Sequence, residues 1–204
     1  MRYQACFVAG LAAGWLLARF SGARARRKRL LSGVTTGVTT AEAITNHLRS
    51  LGANTNGLPL EGVTALITGA GNGVGRGAAL ALARLGASIV ANDLPGSKTV
   101  DETASLVKAL GRQCEVRKVD VTDADAVEAM ASEFAGRLDV VVANAAWSDR
   151  SGPIHEQEYE MLRKTLEVSQ MGVVHTVRSG VRALRATQEA RRARASVGQL
   201  AGSG

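Results

Sequence analysis

The sequence predicts an α/β fold built on a doubly wound parallel sheet, with an apolar and basic extension at its N-terminus. Two observations carry this prediction. From residue 62 onward, short apolar runs alternate with stretches of helical periodicity, which is the pattern of parallel strands joined by right-handed helical crossovers. The apolar runs are nearly continuous, as expected for strands that are covered by helices on both faces.

The predicted elements follow one another in a regular order. Strands are predicted over residues 63–68, 87–93, 114–121 and 138–144. Helices are predicted over residues 74–85, 98–110, 123–135 and about 156–184. Asp123 is the predicted N-cap of the third helix, since an aspartate oxygen can accept a hydrogen bond from the first turn. The last helix shows an apolar face of Leu162, Leu166, Val173 and Val177.

The net charge of +7 belongs to the N-terminal segment. Residues 1–41 carry seven basic residues and no acidic one, whereas the rest of the chain carries 18 of each sign. A neutral body argues against a nucleic-acid footprint spread over the fold. No nucleic-acid partner is therefore predicted.

An apolar stretch opens the chain. Residues 5–20 approach the shortest length that can span a bilayer, and the basic block RARRKR (24–29) follows them. The positive-inside rule then predicts a membrane-associated protein whose domain faces the cytosol. An Arg-rich mitochondrial presequence and a cleaved secretory signal stay open as alternatives.

The two cysteines, Cys6 and Cys114, form no disulfide framework and no metal-ligand spacing. We therefore interpret them as unpaired thiols in an apolar setting. No metal site is predicted.

The stretch TGAGNGVG (68–75) joins the first strand to the first helix. Its glycines allow positive φ and a close approach of a phosphate to the backbone. The free N–H groups and the dipole of the helix start favour an anion. The spacing is TGxxxGxG, and the candidate cofactor-binding residues of this loop are Thr68, Gly69, Asn72, Gly73, Val74 and Gly75.

Polar residues end the other three strands. Asp93 ends the second, Asp120-Val121 the third and Asn144-Ala145 the fourth. In a doubly wound sheet these ends meet at the ligand-binding edge. A carboxylate at Asp93 can accept hydrogen bonds from an adenosine ribose and would repel a 2′-phosphate, which favours NAD over NADP.

These residues resemble the short-chain dehydrogenase/reductase family. Residues 68–75 are similar to its cofactor loop, and Asp120-Val121 to the pair that meets the adenine ring. Asn144-Ala145-Ala146 resembles its Asn-Ala-Gly motif, with alanine in place of the glycine.

The resemblance covers about residues 62–185, roughly the N-terminal half of the family's catalytic domain. It implies a Rossmann-like fold with strand order 3-2-1-4 and an NAD(P)-dependent oxidoreductase that acts on an alcohol or carbonyl. Residues 166–181 resemble the helix after the fourth strand, and Ser169 stands where many members carry a catalytic asparagine.

The resemblance also implies a catalytic serine and a Tyr-x-x-x-Lys motif. The two tyrosines are Tyr3 and Tyr159, and Arg163 follows Tyr159 at the spacing of the lysine. We interpret Tyr159 as a helix-start residue and assign no catalytic residue. The alternative function is a non-catalytic, membrane-associated dinucleotide-binding module or an inactive fragment.

Four segments are predicted: a membrane anchor or targeting segment (1–30), a linker that can hold a short helix (31–61), an incomplete dinucleotide-binding domain (62–185) and a basic low-complexity tail (186–204). The change of composition after Leu184 leads us to expect a C-terminally truncated chain. Residues 138–144 would then form an open apolar edge, so self-association is expected.

Overall fold

A computed structural model describes residues 57–148 and 152–201 of the chain, without the side chains of residues 195 and 197–201. Its four strands form one parallel sheet in the order β3-β2-β1-β4. The strands are β1 (Thr64–Thr68), β2 (Ser88–Asp93), β3 (Cys114–Lys118) and β4 (Val140–Val142). The predicted fold class and strand order are confirmed.

Five α-helices connect and cover the strands within the described residues. They are α1 (Gly73–Arg84), α2 (Thr99–Ala109), α3 (Ala124–Ser132), α4 (Tyr159–Leu166) and α5 (Gly172–Ala201). A short 3₁₀ turn (Ile154–Glu156) precedes α4, and a π-helical segment (Glu167–Met171) joins α4 to α5. Asp123 caps α3 as predicted, because its carboxylate accepts a hydrogen bond from Ala126 N at 2.9 Å.

Two apolar cores lie on opposite faces of the sheet. Alternate residues of one strand point to opposite faces, so Ile67 enters the core under α1 and α2 while Leu66 enters the core under α3 and α5. The second core is centred on Phe134, which is fully buried. The guanidinium groups of Arg117 and Arg137 lie 4.9 and 4.5 Å from the centroid of its ring.

The last helix is longer than predicted, and it packs on the sheet through small residues. It begins at Tyr159, passes through the π-helical segment and continues to Ala201. Its buried stripe consists of small residues, and Leu166, on the predicted apolar face, is 51% exposed. A Cβ on Gly180 would lie 2.9 Å from Val141 Cγ2, so only a small residue allows this helix to approach the sheet so closely.

The C-terminal part of α5 is anchored to the connection between α3 and β4. Thr187 is buried, and its hydroxyl accepts hydrogen bonds from Gly136 N and Leu138 N, both at 3.1 Å. Arg191 forms an ion pair with Asp139 at 2.7 Å. Composition gave no sign of these contacts, since an Ala- and Arg-rich stretch has no apolar periodicity.

In the part of the chain that the structure describes, no helix is long and apolar enough to cross a bilayer. The predicted membrane segment (5–20), the basic block (24–29) and most of the predicted linker (31–61) lie outside the described residues.

Candidate cofactor site

A cavity of about 380 Å³ lies at the carboxyl ends of the four strands. Eight of the eleven predicted cofactor-binding residues line it, namely Gly69, Asn72, Val74, Asp93, Asp120, Val121, Asn144 and Ala145. Thr68, Gly73 and Gly75 lie in the same loop but are not part of the lining. The parallel sheet brings the predicted residues together because each follows the same end of a strand.

Two glycines of the loop are required by close packing. Gly69 has a φ of +65°, and a Cβ there would lie 2.9 Å from Ala145 Cα. A Cβ on Gly75 would overlap the carbonyl oxygen of Gly69. Gly73 differs, because its φ is +52° and a Cβ on it would meet no protein atom within 4 Å. The space above Gly73 is therefore open.

Thr68 and Asn144 tie the glycine-rich loop to the segment after β4. The Thr68 hydroxyl is buried and accepts hydrogen bonds from Asn144 N at 3.0 Å and Ala145 N at 3.2 Å. In return, Asn144 Nδ2 donates to Thr68 O at 3.0 Å and to Gly69 O at 3.3 Å. These hydrogen bonds therefore fix the position of the glycine-rich loop relative to the segment after β4, and both segments line the cavity.

The start of α1 suits an anion. Asn72 is its N-cap residue but makes no side-chain cap hydrogen bond, and the first turn contains no acidic residue. The N–H groups of a helix start carry a partial positive charge that an anion can compensate.

Arg76 and Thr103, neither of which was predicted as a site residue, bind the glycine-rich loop on the side of α2. Arg76 Nε donates to Gly71 O at 2.9 Å, and its guanidinium pairs with Glu102 at 2.9 Å. The buried Thr103 hydroxyl donates to Ala70 O at 2.9 Å. The loop carbonyls thus face α2. Arg76 follows the glycine motif directly and could have been suspected, whereas no sequence signal marks Thr103.

Asp93 and Asp120 each use one carboxylate oxygen within their own turn. Asp93 Oδ1 accepts from Leu94 N at 2.8 Å. Asp120 Oδ1 accepts from the backbone N and the hydroxyl of Thr122, both at 2.9 Å. Among the described residues, nothing donates to the second oxygen of either group. Each aspartate therefore keeps one acceptor for a ligand.

The segment after β3 is also held in place by two side chains that were not predicted as site residues. Asn92 Nδ2 donates to Val119 O at 3.0 Å. His175 Nδ1 lies 3.0 Å from Val121 O, so it must carry the proton because a carbonyl only accepts. The backbone around Asp120 is consequently fixed from the β2 side and from the α5 side.

Trp147, Lys164 and Val168 complete the lining on the side of α4. The Ser169 hydroxyl accepts from Trp147 N at 3.1 Å and donates to Trp147 O at 2.9 Å. Lys164 Nζ lies 4.8 Å from the centroid of the Trp147 ring. Ser169 therefore serves here to hold the loop after β4. Tyr159 begins α4 and is 85% exposed, which confirms its interpretation as a helix-start residue.

The fold and the cavity define a Rossmann-like α/β domain. The family model described as short chain dehydrogenase matches residues 63–194. The chain belongs to this family.

Curated relatives agree with the family. Hydroxynaphthalene reductase of Aspergillus fumigatus is 39% identical over 106 residues, which are 50% of this chain and 38% of the relative. (−)-trans-Carveol dehydrogenase of Rhodococcus erythropolis is 34% identical over 136 residues, which are 60% of this chain and 49% of the relative. The chain thus spans half or less of the length of these relatives.

Solved structures of similar proteins also agree with the family. The structure of carveol dehydrogenase from Mycobacterium avium in complex with NAD is similar with a TM-score of 0.56 at 34% identity, covering 61% of this chain and 50% of the other. A short chain dehydrogenase from Mycobacterium paratuberculosis bound to NAD has a TM-score of 0.56 at 31% identity, covering 61% of this chain and 51% of the other.

Proposed function

We propose that residues 62–185 bind NAD, in preference to NADP, as the cofactor half of an oxidoreductase that acts on an alcohol or a carbonyl. The observation that carries this proposal is the cavity at the carboxyl ends of all four strands, lined by the glycine-rich loop, Asp93, Asp120 and Asn144. Family membership supports it, and two similar solved structures contain NAD.

The residues present fit such a cofactor. The open space above Gly73 and the uncapped start of α1 suit the pyrophosphate. The free carboxylate oxygens of Asp93 and Asp120 suit the donors of the adenosine end. When bound, the nicotinamide supplies the hydride chemistry, and this chain's own residues bind and orient the cofactor.

The preference for NAD rests on charge. Asp93 ends β2 within the cavity, and its carboxylate would lie close to a 2′-phosphate. Two negative groups at short distance repel each other, so NADP is disfavoured. Lys164 is the one cation among the described residues that line the cavity, and it stacks on Trp147.

Turnover is proposed only for a protein that also supplies a proton-transfer group. No Tyr-x-x-x-Lys motif occurs among the 204 residues, and general acid–base catalysis needs a group of matched pKa at the reacting atoms. The second candidate function is therefore binding of the dinucleotide without catalysis.

The test is a titration of the full chain with NADH, in which the fluorescence of NADH reports binding. We expect a dissociation constant in the range of about 1 μM to 1 mM, which is the usual range of KM values of enzymes. Gly73→Val should abolish binding, because it fills the open space and strains a positive φ. Gly111→Val is the matched control, since Gly111 has a φ of +74°, also with no atom near its Cβ, but follows α2 and lies outside the glycine-rich loop.

Equal NADH affinity in both variants would contradict the proposed site. If NADH binds, incubation with NAD and a panel of alcohols separates the two candidate functions. Turnover by the purified chain would show that other groups supply the proton transfer, whereas binding alone supports the second candidate.

Attachment to a membrane through residues 5–20 is a separate proposal, with a mitochondrial location as its alternative. The apolar length and the following basic block support it. Fractionation of cells that express the chain with and without residues 5–20 tests it. A soluble full-length chain would contradict membrane attachment.

A further inference from the structure

Asn92 is a buried polar residue in the wall of the cofactor cavity. It lies in β2, follows the apolar residues Ile89, Val90 and Ala91, and has no exposed surface. A buried amide is costly unless all its polar atoms are hydrogen-bonded. An amide at this strand position therefore calls for a specific explanation.

Only one end of the Asn92 amide is satisfied. Its Nδ2 donates to Val119 O at 3.0 Å, which ties β2 to the segment after β3. This contact fixes the orientation, because a flipped amide would set Oδ1 against the Val119 carbonyl oxygen, and both atoms are acceptors. Asn92 Oδ1 then has no hydrogen-bond partner among the described residues.

The cavity that Asn92 lines is also lined by Asp93, Val119, Asp120 and Val121. Under the proposed function, these residues receive the adenosine end of the dinucleotide. The side-chain polar atoms of these residues that have no partner in the described part of the chain are the second carboxylate oxygens of Asp93 and Asp120, which are hydrogen-bond acceptors. Asn92 Oδ1 is a third acceptor in the same part of the cavity. A ligand that fits this wall must bring donors, and adenosine has an exocyclic amine and ribose hydroxyls.

We propose that Asn92 is a further nucleoside-binding residue, whose Oδ1 accepts a hydrogen bond from the adenosine end of the dinucleotide. The inference rests on the proposed function and deepens it, because it adds a contact that sequence reasoning did not identify. The donor is the exocyclic amine or a ribose hydroxyl, and each can be removed separately from the ligand.

The experiment compares the full chain with its Asn92→Ala variant. Bound NADH is displaced by AMP, by IMP, which lacks the amine, and by 2′-deoxy-AMP and 3′-deoxy-AMP, which lack one hydroxyl each. One lost hydrogen bond corresponds to about a 3- to 10-fold change in affinity. We expect the unchanged chain to prefer AMP over at least one analogue by this factor, and Asn92→Ala to lose that one preference.

Thr187→Ala is the matched control, because Thr187 is also a buried polar residue that binds backbone groups but lies outside the cavity. It should keep every ligand preference. If Asn92→Ala does not fold by circular dichroism, Asn92→Ser is measured in the same way, since it also removes the amide oxygen.

The ratio of affinities separates binding from structure. If Asn92→Ala weakens all four ligands equally or changes none, Asn92 has a structural role and the inference is wrong, while NADH binding by the unchanged chain still supports the proposed function. If the unchanged chain does not bind NADH, the proposed function fails first and the inference falls with it.

Discussion

Asp93 offers the most direct test of cofactor choice at the scale of one residue. One of its oxygens is held by Leu94 N at 2.8 Å, which leaves the other for a ligand. We expect Asp93→Ala to weaken NADH binding about 10-fold, the cost of one hydrogen bond to a charged group. NADPH binding should weaken less or improve, because the repulsion of the 2′-phosphate disappears. Fluorescence titration with both nucleotides measures the two effects.

Asp125→Ala is the control for this prediction, since Asp125 is an exposed carboxylate in the first turn of α3, outside the cavity. It should leave the ratio of the two affinities unchanged. Equal binding of NADH and NADPH by the unchanged chain would contradict the assigned role of Asp93.

Cys114 gives a prediction about the ionisation of a buried thiol. Burial raises the pKa of this thiol from 9.0 to about 11, although the nearby Lys108 opposes the shift. At pH 8 the folded chain therefore contains about 100-fold less thiolate than the unfolded chain. In a Cys6→Ser background, Cys114 should therefore react with a thiol reagent at least about 100-fold more slowly in buffer than in concentrated urea.

The same shift has a consequence for stability. The unfolded thiol ionises near pH 9 and the folded thiol near pH 11, so the unfolded state binds fewer protons between these values. The contribution of the protonated Cys114 thiol to the free energy of unfolding is present below pH 9 and is lost as the pH rises towards 11.

The rate of thiol modification also has an outcome that would contradict the prediction. Fast modification of Cys114 in the folded chain at pH 8 would show that the thiol is accessible, contrary to the structure.

Single residues also show what the sequence could predict about the site. Gly69, Asp93 and Asn144 were predictable, because glycine conformation and the ends of parallel strands follow general rules. Thr103 and Asn92 were not, because they hydrogen-bond to partners 33 and 27 positions away that only the folded chain brings close. Side-chain hydrogen bonds of this kind leave no periodic pattern.

At the scale of elements, the contact between α3 and α5 depends on a carboxylate. Glu128 accepts hydrogen bonds from Ser179 Oγ at 2.7 Å and from Arg182 Nη1 at 2.8 Å. The Ser179 hydrogen bond and the Arg182 charge lower the pKa of Glu128 below its ordinary value of 4.5. Because the unfolded state takes up the proton first as the pH falls, this contact stabilises the fold above about pH 4.5 and is lost at lower pH.

We therefore expect Ser179→Ala to lower the free energy of unfolding by about 1 kcal/mol at pH 7, since Glu128 is partly exposed to solvent. The fall in stability below pH 4.5 should also become shallower. Urea unfolding between pH 3 and 7 measures both effects. Ser105→Ala, which removes an exposed hydroxyl from α2, should change neither the free energy of unfolding at pH 7 nor its fall below pH 4.5. If the fall below pH 4.5 is the same in Ser179→Ala as in the unchanged chain, Ser179 does not lower the pKa of Glu128.

The elements themselves were predictable to different degrees. The strands and α1 to α3 lie close to their predicted positions, because apolar runs and helical periodicity mark them. The helix after β4 was placed correctly at its start but extends well beyond residue 184. Its packing uses Gly172, Thr176, Gly180, Ala183 and Thr187, and small or polar residues do not register as an apolar stripe.

At the scale of the whole molecule, the sheet and α5 both offer surface to a second copy. In the described part of the chain, β4 pairs only with β1 and ends the sheet. Val174 and Val181 lie seven positions apart on α5, which places them on one helix face, and they are 52% and 37% exposed. Exposed apolar side chains and an unpaired strand edge each favour association.

We expect the purified chain to associate reversibly, so that its weight-average mass rises with concentration in sedimentation velocity experiments. Replacing Val174 and Val181 together by Gln should shift this rise to higher concentration, because burial of each valine contributes about 1.5–3 kcal/mol when it is complete. Val100→Ala is the comparison for destabilisation without a change of surface, since Val100 is fully buried in the core under α2. It should lower the melting temperature and leave the association of the folded chain unchanged. If the chain is instead a monomer at every concentration, the predicted association is wrong. The exposed valines of α5 and the edge of β4 are then in contact with solvent and not with a second copy.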